Sequence, residues 1–338
     1  MFRADFFDTV LRRCLPLVRP GVLLCLVATG LGCSPERQAV MESGNQGAWQ
    51  PWQVLESRTG RVVATSEWLK ELKHNDVVYI GEEHFNQYHI EAALTILEQL
   101  FSDGIQPTIG MEMFGWDGQP ALDTYLSNGD LARSAFLEQV LWKQNWGGAF
   151  EAYEPLVTFA RDRHLTIRAM NPPKPLIRRV VKQGLEVARQ DSEWSVWGLR
   201  QEEIVDDPAY HTRIIEQLRQ CHGGGTDEDY RTMYEASMVR DEGMAKTLVT
   251  RLEELRREKV EPRGIIVSYT GGGHIQYGLP VPNRVARRFS GQAKQTTIYL
   301  TSFNASRIND VQELLREQIA DYIWLTPMSA KGPPQRCG

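Results

Sequence analysis

Two histidines follow glycine-containing motifs at the ends of two predicted buried strands. Gly81-Glu82-Glu83-His84 comes after Asp76–Ile80, and Gly271-Gly272-Gly273-His274 comes after Gly264–Tyr269. In an open parallel sheet, the carboxyl ends of the strands border the ligand crevice. The two histidines can therefore face one pocket although they lie far apart in the chain. Because histidine is both a common metal ligand and a general base near neutral pH, the pair predicts a site of ligand binding or proton transfer.

A carboxylate at the end of another predicted strand extends this set. Glu112 lies in Gly110-Met111-Glu112-Met113-Phe114 among apolar neighbours, where a charge is costly unless it is paired or ligates something. Two histidines and one carboxylate are a known ligand set for a catalytic divalent transition metal with an open position for water. His84, Glu112 and His274 are thus candidate metal ligands. In the alternative, Glu112 or Glu83 serves with the histidines in acid–base catalysis without a metal.

Tyrosines near these histidines allow a third chemistry. Tyr277 lies three residues beyond His274, and Tyr88 precedes His89. A tyrosine phenolate is a known axial ligand of haem iron. The absence of a Cys-x-x-Cys-His motif excludes covalent c-type attachment, so any haem would be bound non-covalently, as b-type haem. The position of His89 is left open between the pocket and the helix surface, and the remaining histidines are expected to be exposed: His74, His164, His211 and His222.

The elements that would position these residues alternate between strand and helix. A helix with Asn86 as its N-cap is predicted after the first motif, and a short helix Glu67–Lys73 capped by Ser66 before it. A hairpin is predicted from Trp52–Leu55 and Arg61–Ala64. The other strands are expected at Val77–Ile80, Thr108–Met113, Leu165–Met170, Ile265–Tyr269, Thr297–Leu300 and Tyr322–Leu325. This pattern predicts an α/β fold with a mostly parallel central sheet flanked by helices.

Two long stretches exceed what a simple connection between strands requires. Residues 119–160 and 173–260 have a predominantly helical pattern. Because loops at the carboxyl edge of a sheet commonly form pockets, we expect these stretches to be helical insertions near that edge.

The amino-terminal segment has the character of an export signal. Basic residues precede a short apolar run, and small residues then lead into Cys33, as in a bacterial lipoprotein signal. We therefore expect a signal peptide at 1–32, lipidation of Cys33, a flexible tether at 33–50, one α/β domain at 51–328 and a flexible tail at 329–338. A net charge of −5 over 338 residues argues against nucleic acid as a partner.

Several motifs, in this order along the chain, resemble the ChaN-like haem-binding uptake lipoproteins. They are Gly81-Glu82-x-His84, Gly110-x-Glu112-Met113-Phe114, Leu122-Asp123-x-Tyr125-Leu126, Trp142-x3-Trp146-x6-Tyr153-x-Pro155, Ala169-x-Asn171, Arg240-Asp241-Glu242-x-Met244-Ala245 and Gly273-His274-x2-Tyr277-Gly278-x3-Pro282. The resemblance spans roughly residues 50–326.

The resemblance implies a non-enzymatic protein that binds haem for iron acquisition. It also implies a lipid anchor in the outer membrane, with the domain facing the periplasm. The axial ligand would come from Tyr277, Tyr88, His84 or His274, with His89 nearby, and Arg240 would pair a haem propionate. A haem receptor or transporter and a second copy of the chain are the protein partners that this role allows.

The wider relatives are similar to the Tiki metalloproteases and the erythromycin esterases. In the Tiki group, two GxxH motifs and a glutamate are tied to metal-dependent proteolysis, and here His84, Glu112 and His274 would take those roles. Phe85 and Ile90 stand where the haem-binding pattern usually has an acidic residue and a second histidine. These departures favour the alternative, a metal-dependent hydrolase acting on peptides or esters.

Overall fold

An eight-stranded sheet forms the centre of the fold. The computed structural model describes residues 49–128, 131–258 and 263–330. Across the sheet the strands follow the order β2-β1-β8-β7-β3-β6-β4-β5. All pairs are parallel except those that β1 makes with β2 and β8. In chain order the strands are β1 (Val54–Glu56), β2 (Val62–Val63), β3 (Val77–Glu82), β4 (Thr108–Gly115), β5 (Ile167–Asn171), β6 (Ile266–Gly271), β7 (Gln295–Phe303) and β8 (Tyr322–Pro327).

Helices cover both faces of the sheet. In the described residues they are α1 (Thr65–Glu71), α2 (Gln87–Ser102), α3 (Gln119–Asn128), α4 (Arg133–Gln139), α5 (Trp142–Asn145), α6 (Glu154–Asp162), α7 (Lys174–Gln183), α8 (Leu185–Ala188), α9 (Glu193–Val196), α10 (Pro208–Cys221), α11 (Asp227–Glu258), α12 (Val281–Arg288) and α13 (Ile308–Glu317). None of these described helices is both long enough and apolar enough to cross a membrane.

The predicted α/β class, the mostly parallel sheet and both helical insertions are confirmed. Every predicted strand is present, with ends that differ from the prediction by at most a few residues, and α3 to α6 and α7 to α11 occupy the two long stretches. Asn86 caps α2 as expected, since its side chain accepts a hydrogen bond from the backbone N–H of Tyr88 at 3.0 Å.

The predicted start of the first helix is wrong. α1 begins at Thr65, so Ser66 lies inside its first turn, and the residue before it, Ala64, has no side-chain oxygen with which to cap it. The segment beyond Glu71 tightens into a 3₁₀ turn, Leu72–His74, instead of continuing the α-helix.

β3 lies inside the sheet because both of its faces are apolar. Val78 and Ile80 pack in the cluster that includes residues of α2, whereas Val77 and Tyr79 pack with residues of α11 on the other side. Strands buried on both faces have this nearly continuous apolar composition. The arrangement brings the carboxyl ends of β3, β6 and β4 next to one another.

Cys33, the expected signal peptide and most of the expected tether lie outside the described residues, as do residues 331–338. The expected domain boundaries and the lipid anchor therefore stay predictions.

Candidate functional site

Two networks of charged and aromatic side chains meet at the carboxyl edge of the sheet. Successive side chains of a strand point to opposite faces of the sheet. The two networks lie on these two opposite faces. Glu82 of β3 bonds to groups on the α2 and α6 face, and Glu112 of β4 bonds to groups on the α11 face. Both glutamates are buried.

The first network surrounds Glu82. Its Oε1 accepts a hydrogen bond from Tyr153 at 2.8 Å, and its Oε2 accepts one from Tyr269 at 2.7 Å. Nδ1 of His84 lies 2.8 Å from the same Oε1. The Tyr153 hydroxyl also accepts from the backbone N–H of Phe85 at 3.0 Å. The network therefore fixes both the His84 ring and the backbone that follows it.

These contacts set the protonation of the network. Burial raises the pKa of Glu82, and the hydrogen bonds from His84, Tyr269 and Tyr153 offset only part of that effect. Burial lowers the pKa of His84, but the hydrogen bond to Glu82 and the charge of Glu112 outweigh it, and the net change is upward. The other ring nitrogen of His84, Nε2, lies toward Gly271, where a Cβ would be 3.0 Å away from it.

Glu83 and His89 hold the loop between β3 and α2. The Glu83 backbone N–H donates to Nδ1 of His89 at 2.9 Å, and the Glu83 side chain accepts from the Oγ of Ser302 at 2.7 Å. His89 is fully buried, and burial lowers its pKa to about 3. His89 is thus a neutral residue of the interior, neither on the helix surface nor at the rim of a pocket. Burial also raises the pKa of Glu83.

The second network links Glu112 to His274. Oε1 of Glu112 accepts from Arg240 at 2.6 Å and lies 3.2 Å from Nε2 of His274, while Oε2 accepts from the Gly271 backbone N–H at 2.7 Å. Nδ1 of His274 lies 2.5 Å from Asp241, which in turn accepts from Tyr210 at 2.5 Å. Both ring nitrogens of His274 therefore face carboxylates.

Opposite charges determine the protonation states of this second network. Burial lowers the pKa of His274, but Glu112 and Asp241 outweigh it and raise the pKa to about 9. Burial likewise acts to raise the pKa of Glu112, and His274 and Arg240 overcome it and hold that pKa well below its usual range. At neutral pH this is a buried ion-pair network with a protonated histidine.

The two networks meet at Gly271. A Cβ built on this glycine would lie 2.7 Å from Cε1 of His84 and 3.4 Å from Oε2 of Glu112. Only glycine admits both side chains without displacement. The structure thus brings His84, Glu112 and His274 close together, and their roles as ligands or catalytic groups stay predictions.

The closeness of these three candidate ligands does not by itself form a metal site. Within the described ranges, no three His, Cys, Asp or Glu side chains are arranged to hold a metal ion. His274 would have to release Glu112 or Asp241 before either ring nitrogen could ligate.

Aromatic side chains lie beside the exposed part of the site. The His84 side chain is 23% exposed, and its ring stands edge-on to Trp146 with centroids 4.8 Å apart. Phe85 packs between Trp146 and Tyr153. Four residues after His84, half-buried Tyr88 packs edge-on to Trp52 at 6.2 Å, and its hydroxyl forms no hydrogen bond with any described residue.

Tyr277 lies elsewhere, although it is close to His274 in sequence. Its hydroxyl donates to Glu317 of α13 at 2.6 Å, and the Arg213 guanidinium lies 4.2 Å from its ring centroid. It lines a cavity of about 610 Å³ together with Asn75 and Gln295, which lie at the amino ends of β3 and β7. The structure therefore does not place Tyr277 with His84 and Tyr88.

Three members of the networks were not singled out as site residues from the sequence. Tyr153 and Asp241 lie in the helical insertions, inside motifs that carried only the family resemblance. Tyr269 ends the predicted strand Ile265–Tyr269. It is buried, and its hydroxyl reaches Glu82. The available signal was its position two residues before Gly271, which puts it at the carboxyl end of the same strand.

Comparisons with known proteins agree with this architecture. Residues 68–285 match the family model described as haem-binding uptake, Tiki superfamily, ChaN. The structure of ChaN of Campylobacter jejuni, described as binding haem cofacially, is similar with a TM-score of 0.60 and 16% identity over 80% of this chain and 95% of that chain. No curated protein sequence matches.

Two more distant structures were also found. A mutant of the erythromycin esterase EreC in its open conformation has a TM-score of 0.41 and 16% identity over 75% of this chain and 78% of that one. The type III effector HopBA1 has a TM-score of 0.41 and 9% identity over 77% of this chain and 91% of that chain.

Proposed function

This chain belongs to the haem-binding uptake family of the Tiki superfamily, the ChaN family, and we propose that it binds haem non-covalently at the carboxyl edge of its sheet. The observation that carries the proposal is the partly exposed segment from His84 to Tyr88. It presents two side chains of the kinds that ligate haem iron, beside aromatic rings that can cover an apolar macrocycle.

His84 and Tyr88 suit the donor chemistry of a haem site. Nε2 of His84 has no hydrogen-bond partner among the described residues, and neither has the hydroxyl of Tyr88. The bond from Nδ1 of His84 to Glu82 is the kind of outer interaction that orients a ligating imidazole and raises its basicity. Trp146, Phe85 and Trp52 supply the apolar surroundings.

The other two candidate ligands are less suited to this role. Each ring nitrogen of His274 lies against a buried carboxylate, so ligation would break an ion pair. Tyr277 directs its hydroxyl to Glu317 on another part of the fold. We therefore assign iron ligation to His84 or Tyr88.

Hemin titration of the purified protein tests the assignment. We expect wild-type protein to shift the Soret band of hemin at micromolar concentrations. The His84→Ala, Tyr88→Phe double variant should lose that shift, whereas His74→Ala, which removes an exposed histidine, should retain it. An unchanged spectrum in the double variant would contradict the assignment. No Soret change with wild-type protein would contradict haem binding itself.

A role in iron acquisition at the outer membrane completes the proposal. The leader and Cys33 support a lipid anchor that holds the domain on the periplasmic side, where haem would be cargo and not a catalytic cofactor. A haem receptor or transporter would then deliver or receive the haem, and two copies of the chain could share it. Labelling of Cys33 and fractionation of cells test the location.

A second candidate function, hydrolysis, is favoured by one observation. Glu82 and Glu112 lie on either side of His84, and their pKa values are shifted in opposite directions, upward for Glu82 and downward for Glu112. Such divergence is typical of acid and base pairs in active sites. Hydrolysis of generic ester or peptide substrates that is lost in Glu82→Gln would support it. A stoichiometric transition metal that is lost in His84→Ala would favour the metal-dependent form.

A further inference from the structure

The cavity of about 610 Å³ that Tyr277 lines lies at the amino edge of the sheet, opposite the edge proposed to bind haem. It is bordered by Asn75 before β3, by Gln295 at the start of β7 and by Tyr322 at the start of β8. Glu56, the last residue of the antiparallel strand β1, pairs with Tyr322 and lines it as well. A cavity of this volume is typical of sites that bind small molecules. We call it the amino-edge cavity.

Negative charge predominates in the lining of the amino-edge cavity. Three of the described lining residues are acidic, Glu56, Glu71 and Asp321, and one is basic, Arg58. Arg58 lies 3.5 Å from Oε1 of Glu56, but its side chain is 77% exposed, and such exposed pairs are weak. The contact of Glu71 with His74, at 3.9 Å, also joins exposed side chains. Three acidic residues against one basic residue leave an excess of two negative charges, which favours a cation in the cavity.

Asp321 is held by the backbone and keeps one oxygen for a ligand. Its Oδ2 accepts hydrogen bonds from the backbone N–H of Thr297 at 2.8 Å and from the Thr297 hydroxyl at 2.9 Å. Among the described residues, its Oδ1 has no hydrogen-bond partner and its carboxylate forms no ion pair. Burial raises the pKa of Tyr322, and the charges of Glu56 and Asp321 add to that rise. Both carboxylates therefore act on the same part of the cavity.

Two buried hydroxyls indicate independently that the cavity takes a polar partner. Ser57 lines it and is 5% exposed, and its Oγ has no hydrogen-bond partner among the described residues. Thr296 also lines it and is 7% exposed, and its hydroxyl forms no hydrogen bond within the described part of the chain. Because a buried hydroxyl without a partner is costly, both groups favour a molecule that can hydrogen-bond to them.

We propose that the amino-edge cavity binds a small aliphatic amine with two ammonium groups. This second site goes beyond the proposed function and does not depend on it. Two ammonium groups match the two excess negative charges, and their N–H groups can donate to the carboxylates and to the hydroxyls of Ser57 and Thr296. The rings of Tyr322 and Trp68, with centroids 5.2 Å apart, supply an apolar and cation-attracting side.

A bare metal ion suits the cavity less well than an organic cation. Within the parts of the chain that the structure describes, no three His, Cys, Asp or Glu side chains are placed to hold a metal ion. The acidic residues come instead from three separate elements: β1, α1 and the start of β8. A ligand with two separated charges can contact acidic groups that are spread in this way.

Calorimetric titration of the purified protein tests the proposal. The probes are putrescine, an aliphatic diamine, and butanediol, which has the same chain length without charge. The Glu71→Gln, Asp321→Asn double variant removes two charges, and the new asparagine can still accept from Thr297 through its amide oxygen. Glu67→Gln is the matched control, because Glu67 is an exposed residue of the same helix as Glu71 but does not line the cavity. Ser57→Ala removes one hydroxyl and no charge.

We expect wild-type protein to bind putrescine with a Kd below about 1 mM, and the double variant to bind it at least about tenfold more weakly. Ser57→Ala should weaken binding about fivefold, and this small change keeps the test decisive if the double variant does not fold. Butanediol should bind wild type more weakly than putrescine, and the control should match wild type. Equal weakening in the control and the double variant would show a general surface effect and overturn the site.

Two further outcomes separate this site from the haem site. Putrescine binding should persist in the His84→Ala, Tyr88→Phe variant, because those residues lie at the other edge of the sheet. Loss of binding in that variant would place putrescine at the carboxyl edge and overturn the assignment to the amino-edge cavity. Absence of binding to wild-type protein at millimolar putrescine would overturn the proposal and leave haem binding untouched.

Discussion

Replacing His274 should make the stability of the protein respond to pH in a defined way. The carboxylates of Glu112 and Asp241 raise the pKa of His274 from its ordinary 6.5 to about 9. Because the folded state then binds the proton more tightly than the unfolded state, the stabilisation is fully present below pH 6.5. It is lost as the pH rises through 9. One pKa unit corresponds to about 1.4 kcal/mol, so the total is roughly 3 kcal/mol.

The variant that isolates this effect is His274→Gln. It removes the titrating group, so the difference in free energy of unfolding between wild type and variant should be about 3 kcal/mol larger at pH 6 than at pH 10. The comparison uses the difference between wild type and variant because Glu82 and Glu83 also have raised pKa values. These two groups titrate in both proteins, so their contributions to the free energy of unfolding cancel. His274 is largely buried, with 14% of its side chain exposed, so solvent screening reduces this figure little.

Urea unfolding at a series of pH values measures these free energies, provided that the denaturant slope is the same for both proteins. His74→Gln, which removes an exposed histidine paired loosely with Glu71, serves as the control and should follow wild type. Asp241→Asn removes one of the two carboxylates and should give an intermediate profile. A difference between wild type and His274→Gln that stays constant from pH 6 to pH 10 would refute the assignment of a protonated, ion-paired His274.

Three other changes test separate parts of the structure. Gly271→Ala should weaken hemin binding because its Cβ would lie 2.7 Å from the His84 ring, whereas Gly273→Ala, whose nearest neighbour is 3.6 Å away, should bind hemin as wild type does; equal affinities would refute the steric argument. Glu242→Gln, at a fully buried position bonded to several arginines, should lower the free energy of unfolding by about 3 kcal/mol or more, and a change below about 1 kcal/mol in urea unfolding would count against it. Cys33→Ala should leave the leader uncleaved, whereas the chain from residue 34 onward behind a plain signal should be soluble, because the acyl chains that anchor a protein stably would be missing; wild-type protein that incorporates no labelled palmitate would exclude the lipid anchor.

The sequence predicts the central sheet and the convergence of His84, Glu112 and His274. The sheet is confirmed and the three side chains lie close together, because both outcomes depend on local properties of the sequence. Runs such as Val77–Ile80 are apolar and β-branched, and parallel strands bring their carboxyl ends to one edge whatever the intervening chain does. Asn86 could likewise be identified as a cap because the interaction spans two residues.

What the sequence did not reveal depends on how distant helices pack. Tyr153 and Asp241 reach the site from insertions whose orientation is set by tertiary contacts, and periodicity carries no information on that orientation. Tyr277 shows that closeness in sequence does not ensure closeness in the fold. It is close to His274 in sequence, but its backbone adopts a φ of 59°, which is uncommon for a bulky residue, and its hydroxyl bonds to α13.

The order of strands in the sheet has a consequence for how the chain is made. β3 emerges early during synthesis, but both of its neighbours, β6 and β7, come after α11. Until then the apolar segment Val77–Ile80 has no strand with which to pair, and unpaired strand edges are prone to aggregation. The loop that carries His84 can adopt its final position only when Gly271 and Ser302 have been added. A chain of which only the part before β6 has emerged therefore exposes an unpaired β3.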